Sequence, residues 1–188
     1  HVNLSQSTND VYPTAVRLTV LRACPELIEC QRRLKDAFMA KAVEFDGIIK
    51  VGRTQLMDAV PMRLGSEFRA FAVTIGEDID RLGEFSALLR EVNLGGTAIG
   101  TGINTHPEFG GRVAAVLAKE TGIPFIEAKN HFEANANRDG LVESSGVVSE
   151  TEPTLELAGQ APAPASIAAV EQACSGPLPT AGLISIPT

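Results

Sequence analysis

Leu64, Phe68, Phe71, Ile75, Ile79, Leu82, Phe85, Leu89 and Val92 follow one another at steps of three or four, with no proline among them. That spacing lines one face of an α-helix of about 28 residues, roughly 42 Å long at 1.5 Å per residue. Few globular helices reach such a length. A long, narrow apolar stripe needs other long helices alongside it, parallel or antiparallel and meeting across subunits. The expected fold is therefore all-α, a long-helix bundle.

A second helical pattern precedes the first, from about Tyr12 to Lys50. Leu34, Phe38, Ala42, Phe45 and Ile49 form its stripe. Asn9-Asp10 is the expected N-cap, and Pro13 is tolerable in the first turn. Pro25 lies within the pattern and is expected to kink or divide the helix. Between the two patterns, "VGRTQLMDAVP" (51–61) breaks the periodicity with Thr54 and Gln55 at its centre. After the long stripe, "NLGGTAIGTGIN" (93–104) reads as a turn. It lacks the Gly-Lys-Ser/Thr ending of a phosphate-binding P-loop and follows a helix, not the strand of a dinucleotide fold. A short amphipathic helix is expected within 106–122, with Gly122 after its end, then an extended "IPFIEA" connection. Another helix should begin near His131 and run through Leu141-Val142.

These patterns give a central helical-bundle domain over 1–146. Residues 147–173 carry Pro153, Pro162 and Pro164, which no continuous helix should survive, so an irregular segment is expected there. Residues 174–188 close the chain.

The 188 residues include 16 Lys and Arg against 23 Asp and Glu, and the net charge of −7 argues against a nucleic-acid-coating surface. No apolar run reaches the roughly 18 residues of a membrane span, and the opening "HVNLS" is no signal sequence. Without an initiator methionine, the sequence reads as a fragment or a processed piece. Cys24, Cys30 and Cys174 are too few for a disulfide framework, which points to the cytoplasm. His1, His106 and His131 show no ligand spacing, so neither a metal nor a cofactor is expected.

Two polar clusters sit at helix interruptions. Ser5, Gln6, Ser7, Thr8, Asn9 and Asp10 gather hydroxyls and amides at a helix mouth, where free N–H groups suit a carboxylate. Their ordinary reading is a helix cap. Thr54 and Gln55 supply the second cluster, whose ordinary reading is a satisfied turn. Together they describe openings where a bundle can admit a ligand between its rods.

"HVNLSQSTNDVYPTA" (1–15), "KVGRTQLMDAVPMRLGSEFRAF" (50–71) and "NLGGTAIGTGINTHPEF" (93–109) resemble the aspartase/fumarase superfamily, in its class II fumarase and aspartate ammonia-lyase branch. "FEANANRDGLVESSG" (132–146) and "SGPLPTAGLISIP" (175–187) extend the likeness. It implies a homotetramer with a central helical bundle, and active sites each assembled from three subunits. It implies elimination from a four-carbon dicarboxylate to fumarate through an aci-carboxylate. Matched residue by residue, Ser7, Thr8 and Asn9 fall on the carboxylate-binding positions of the first family segment, and Thr54 and Gln55 on those of the second. Gln55 stands where fumarases usually have histidine, and "QSTND" is the aspartase form, whereas "GGTAIGTGINTHPEF" leans toward fumarases. The substrate-facing residues favour ammonia elimination from L-aspartate, with fumarate hydration as the alternative.

The sequence departs from that pattern twice. The family's "GSSxMPxKxN" loop, which carries the serine base and a substrate-binding lysine, is not in this chain, so no catalytic residue is assigned and the piece alone is expected to be inactive. Residues 147–173 depart from the family's long helix, either as a true break in a truncated relative or through errors in residue identity. A non-catalytic helical scaffold is the third expectation.

Overall fold

The computed structural model describes residues 1–159 of the protein. Helix α1 (Thr8–Glu44) starts at Ser7, one residue pair before the expected cap. Ser7 has extended backbone and its Oγ accepts from the Asn9 amide at 3.2 Å, while Asp10 Oδ1 accepts from the Ser7 amide at 2.9 Å. This reciprocal capping box satisfies donors that a helix end leaves open. Pro25 neither ends nor divides α1. It lies exposed between the buried Leu21 and Cys24 on one side and Leu34 further along, so the helix loses one backbone bond on its solvent side and keeps its packed face.

The break at 51–61 is a β-hairpin. Strand β1 (Ile49–Thr54) pairs antiparallel with β2 (Met57–Arg63), with Ile49 opposite Arg63 and Thr54 opposite Met57. Gln55 (φ 50°) and Leu56 (φ 64°) form the two-residue tip, both left-handed as the twist of a tight hairpin requires. Helix α2 (Leu64–Leu88) follows directly and is 25 residues long, slightly shorter than the stripe predicts, because Leu89 caps it and Val92 enters a strand. Of the nine stripe residues, Phe68, Ile75, Leu82, Phe85, Leu89 and Val92 are buried and the other three half-buried.

Helices α1 and α2 pack antiparallel. Near the hairpin, Leu34, Phe38 and Ala42 meet Phe68, Ala72 and Ile75, with the Phe45 and Phe68 rings edge to face at 5.1 Å. Gly65 permits this approach, since a Cβ there would strike the Ala42 carbonyl. At the far end, Leu21 and Cys24 pack with Leu82, Phe85 and Leu89, joined by Val92, Leu94, Ala114 and Phe125. Val92 and Ala114 come from the remaining elements, and Leu94 and Phe125 from the segments beside them. Strand β3 (Glu91–Val92) pairs in parallel with β4 (Ile126–Glu127), and α3 (Phe109–Thr121) lies between them in sequence, ended by left-handed Gly122. The helix expected from His131 is two: α4 (His131–Ala136) and α5 (Asp139–Gly159), parted at Asn137, where the backbone is extended. Helix α5 continues through Pro153, so the expected irregular segment is helical as far as Gly159. The expectations for 160–173 and 174–188 lie outside the described residues. Among those described, no helix is long and apolar enough to cross a membrane. The described residues are mostly helical, as expected, with two small two-stranded sheets.

Between the two apolar clusters the hairpin of helices carries a polar layer, Gln31 on α1 and Asp78 on α2, 4% and 1% exposed. Asp78 Oδ1 accepts from Arg81 Nη1 at 2.9 Å, while Oδ2 has no hydrogen-bond partner. Burial pushes the Asp78 carboxyl above the usual carboxylate range, against the bond and charge of Arg81, and the nearby Glu150 and Glu77 add to the rise. The folded chain therefore holds this proton more tightly than the unfolded chain. Stability is lost as pH climbs from the ordinary carboxylate value, about 4, through the raised one. Asp78→Asn cannot ionise. Its melting temperature relative to the parent should rise as the pH climbs above about 4; thermal melts showing a constant gap would contradict this.

Candidate active site

The head of α1 is held by a buried polar network. Asp10, fully buried, uses both carboxylate oxygens: Oδ1 accepts from the Ser7 amide and Oδ2 from the Thr97 amide, each at 2.9 Å. Asn9 Nδ2 donates to the Ala98 carbonyl at 2.6 Å. Asn93, also fully buried, donates through Nδ2 to the Asn9 carbonyl at 3.0 Å and to Asn135 Oδ1 at 2.5 Å. Ser5 Oγ reaches the Asn104 carbonyl at 3.5 Å. The glycine-rich turn is thus a strap across the head of the helix, and its conformation needs glycine. Gly95 and Gly100 have φ of 96° and 104°, and a Cβ on Gly100 would come within 2.6 Å of the Phe132 amide nitrogen.

Outside this network lies an open groove lined by Asn3, Gln6, Ser7, Thr8, Val11 and Tyr12, with a volume of about 510 Å³. Ser7 and Thr8 bring hydroxyls to it. As the first residue of the helix, Thr8 has an N–H with no carbonyl to meet inside the helix. The arrangement offers neutral hydrogen-bond donors and the positive end of a helix dipole, which fits an anionic oxygen.

Thr54 and Gln55 are elsewhere. They occupy the exposed hairpin tip beyond the C-terminal end of α1, a rod of 37 residues, about 55 Å at 1.5 Å per residue. One chain therefore brings Ser7, Thr8 and Asn9 together and keeps Thr54 and Gln55 at the opposite end. Beside the tip, Arg53 Nε pairs with Asp58 Oδ1 at 3.2 Å.

Sequence reasoning missed Asn93, Thr97 and Asn135. The one available signal was an asparagine placed directly before a glycine run, and nothing local says that its partner is Asn9. A second polar cavity lies behind the strap, where His131 Nε2 is 3.2 Å from Glu127 Oε1 and His106, Thr101 and Thr105 complete the wall. Arg17, half-buried on α1, donates to the Glu91 carbonyl. Its pKa is lowered chiefly by burial and then by Arg138, against the pull of Glu91 and Glu133. Among the described residues, no group of three or more His, Cys, Asp or Glu could hold a metal ion.

Long antiparallel helices, with a capped helix mouth facing an open groove, place this chain in the class of long-helix bundle proteins. Residues 1–156 match the family described as lyase, and the chain belongs to that family, within the aspartase/fumarase superfamily. It is 46% identical over 148 residues to the aspartate ammonia-lyase of Helicobacter pylori, covering 79% of this chain and 32% of that protein. With the aspartate ammonia-lyase of Pseudomonas aeruginosa it shares 51% over 151 residues, 80% of this chain and 32% of the relative. The chain thus spans about a third of the length of the curated relatives it matches. Among solved structures it resembles the fumarate lyase:delta crystallin of Brucella melitensis, with a TM-score of 0.79, 49% identity, and coverage of 84% of this chain and 35% of that one. The class II fumarase of Schistosoma mansoni gives a TM-score of 0.78 at 31% identity, over 82% of this chain and 36% of that one.

The strap makes one check of this geometry. Gly100→Ala forces a side chain into a left-handed position and against the Phe132 backbone, and should cost about 1–3 kcal/mol, read as a lowered denaturation midpoint. An unchanged midpoint would mean that the strap does not hold this conformation.

Proposed function

We propose that the subunit containing this chain eliminates ammonia from L-aspartate to give fumarate, and works as a cytoplasmic homotetramer. The observation that carries this reading is the 45–51% identity to relatives named aspartate ammonia-lyase. The residues agree with it chemically. Removal of the C3 proton gathers two negative charges on one carboxylate, so donors aimed at those oxygens act most strongly in the transition state. Ser7, Thr8 and Asn9 supply such donors at a helix head, and Thr54 and Gln55 supply a hydroxyl and an amide on the hairpin tip. Neutral donors suit the task because they hold the dianion without offering an acidic proton that would quench it. The 55 Å or so separating the two strips in one chain supports a site shared between copies. Exposed apolar residues around the hairpin, Ile49, Val51, Leu56, Met57 and Val60, give that association a hydrophobic component. The family resemblance assigns the base to the serine of the "GSSxMPxKxN" loop. The free thiols of Cys24 and Cys30 suit a reducing compartment.

Fumarate hydration is the second reading, favoured by the fold shared with the class II fumarase of Schistosoma mansoni. The complete subunit should release ammonia from L-aspartate and leave fumarate unhydrated; activity on malate and fumarate alone would select the second reading. Gln55→His should raise KM for L-aspartate by about tenfold, the equivalent of one lost hydrogen bond to a charged group. Unchanged kcat and KM would remove Gln55 from the site.

A further inference from the structure

Pro13 lies in the second turn of α1 and has no N–H, so the carbonyl four residues earlier, on Asn9, lacks its helical donor. That carbonyl is the one that accepts from Asn93 Nδ2 at 3.0 Å. The proline thus opens an acceptor inside a helix, and a fully buried amide from a segment 84 positions away fills it. Asn93 is itself set from both sides. Its Oδ1 lies 3.5 Å from Thr14 Oγ1, which donates at 2.8 Å to the Asp10 carbonyl, and its Nδ2 also donates to Asn135 Oδ1 at 2.5 Å. Asn135 in turn donates through Nδ2 to the Thr97 carbonyl at 3.3 Å, and the Thr97 amide closes the circuit on Asp10 Oδ2.

This circuit reaches the helix head at two points, the Asn9 carbonyl and the Ser7 amide, which bracket the three residues assigned to substrate. A purely structural cap would need only Ser7 and Asp10. We propose that Asn93, backed by Asn135 and flanked by Asp10, is a positioning residue of the active site. It fixes the backbone of Ser7–Asn9 so that their donors meet a substrate carboxylate already aligned. The inference rests on the reading of Ser7–Asn9 as the carboxylate-binding strip. Its chemical basis is that an amide can donate and accept at once. Asn93 can therefore tie α1 to α4 without adding a charge beside the substrate. The circuit also makes α4, remote in sequence, part of the site: movement of His131–Ala136 would be transmitted through Asn135 to the helix head.

The test uses the complete enzyme with L-aspartate in steady-state assays, comparing Asn93→Ala, Asn135→Ala and Thr8→Ala, each with a thermal melt. Asn135 is half-buried, so its truncation decides the matter if Asn93→Ala does not fold. The expected result is a kcat/KM for L-aspartate lowered about tenfold in Asn93→Ala and Asn135→Ala, carried mainly by kcat, as for loss of aligned hydrogen bonds that are strongest in the transition state. Lowered melting temperatures with unchanged kcat and KM in both variants would overturn the positioning role and leave a merely structural network. If Thr8→Ala leaves kcat and KM unchanged, the assignment of the strip fails instead, a result separable from the first.

Discussion

The antiparallel packing of α1 on α2 sets where every other feature can lie. Two apolar clusters hold the pair, one near the β-hairpin and one at the opposite end, and Gly65 sets the close approach at the hairpin end. A rod of this length cannot fold back on itself, so groups at its two ends stay apart however the loops are arranged. The helix head with Ser7–Asn9 and the hairpin tip with Thr54–Gln55 are such groups. Chemistry that needs both must therefore be built between chains, and the separation within one chain is a direct consequence of the packing that stabilises it.

The polar layer at Gln31 and Asp78 interrupts an otherwise apolar seam between the two clusters. An uninterrupted stripe of Leu, Phe and Ile tolerates sliding by a turn, since one apolar contact replaces another at similar energy. A buried carboxyl on that seam is less tolerant, because a slip of α2 along α1 sets it against the apolar residues on either side. Its partner Arg81 lies on the same helix and moves with it.

The helices were legible because their apolar periodicity is long. All nine stripe residues of the longer pattern lie buried or half-buried, and the glycine-rich composition and the helical spacing located the turn at 93–104 and α3 with its Gly122 cap. The misreadings share a cause. Pro25 and Pro153 break helices only where their missing bond falls on a packed or weakly supported turn, and at Pro25 it falls on an exposed side. The hairpin went unread because its strands alternate no buried face: Val51, Met57 and Val60 are all exposed, so the period that announces a strand is absent. At the helix head, the residue types of Ser7–Asn9 announced a capped helix mouth and the family resemblance supplied their proposed role, whereas Asn93 carried no such signal. Its meaning depends on an acceptor created by Pro13, which only the folded chain brings within reach.

Charge at the helix head completes the argument about what the described strips can do alone. Asp10 places a full negative charge behind Ser7–Asn9, and the α1 dipole supplies only about half a positive charge in return. Both Asp10 oxygens are committed to backbone amides, so the carboxylate is anchored, and among the described residues no cation pairs with it. At the other strip, Arg53 is already paired with Asp58. On the proposed function, strips with this balance would hold a carboxylate by the direction of their donors, and the described residues would add little net attraction for a dianion. The charge that draws the substrate in would then come from another segment, a task that the family resemblance gives to the lysine of the serine-bearing loop.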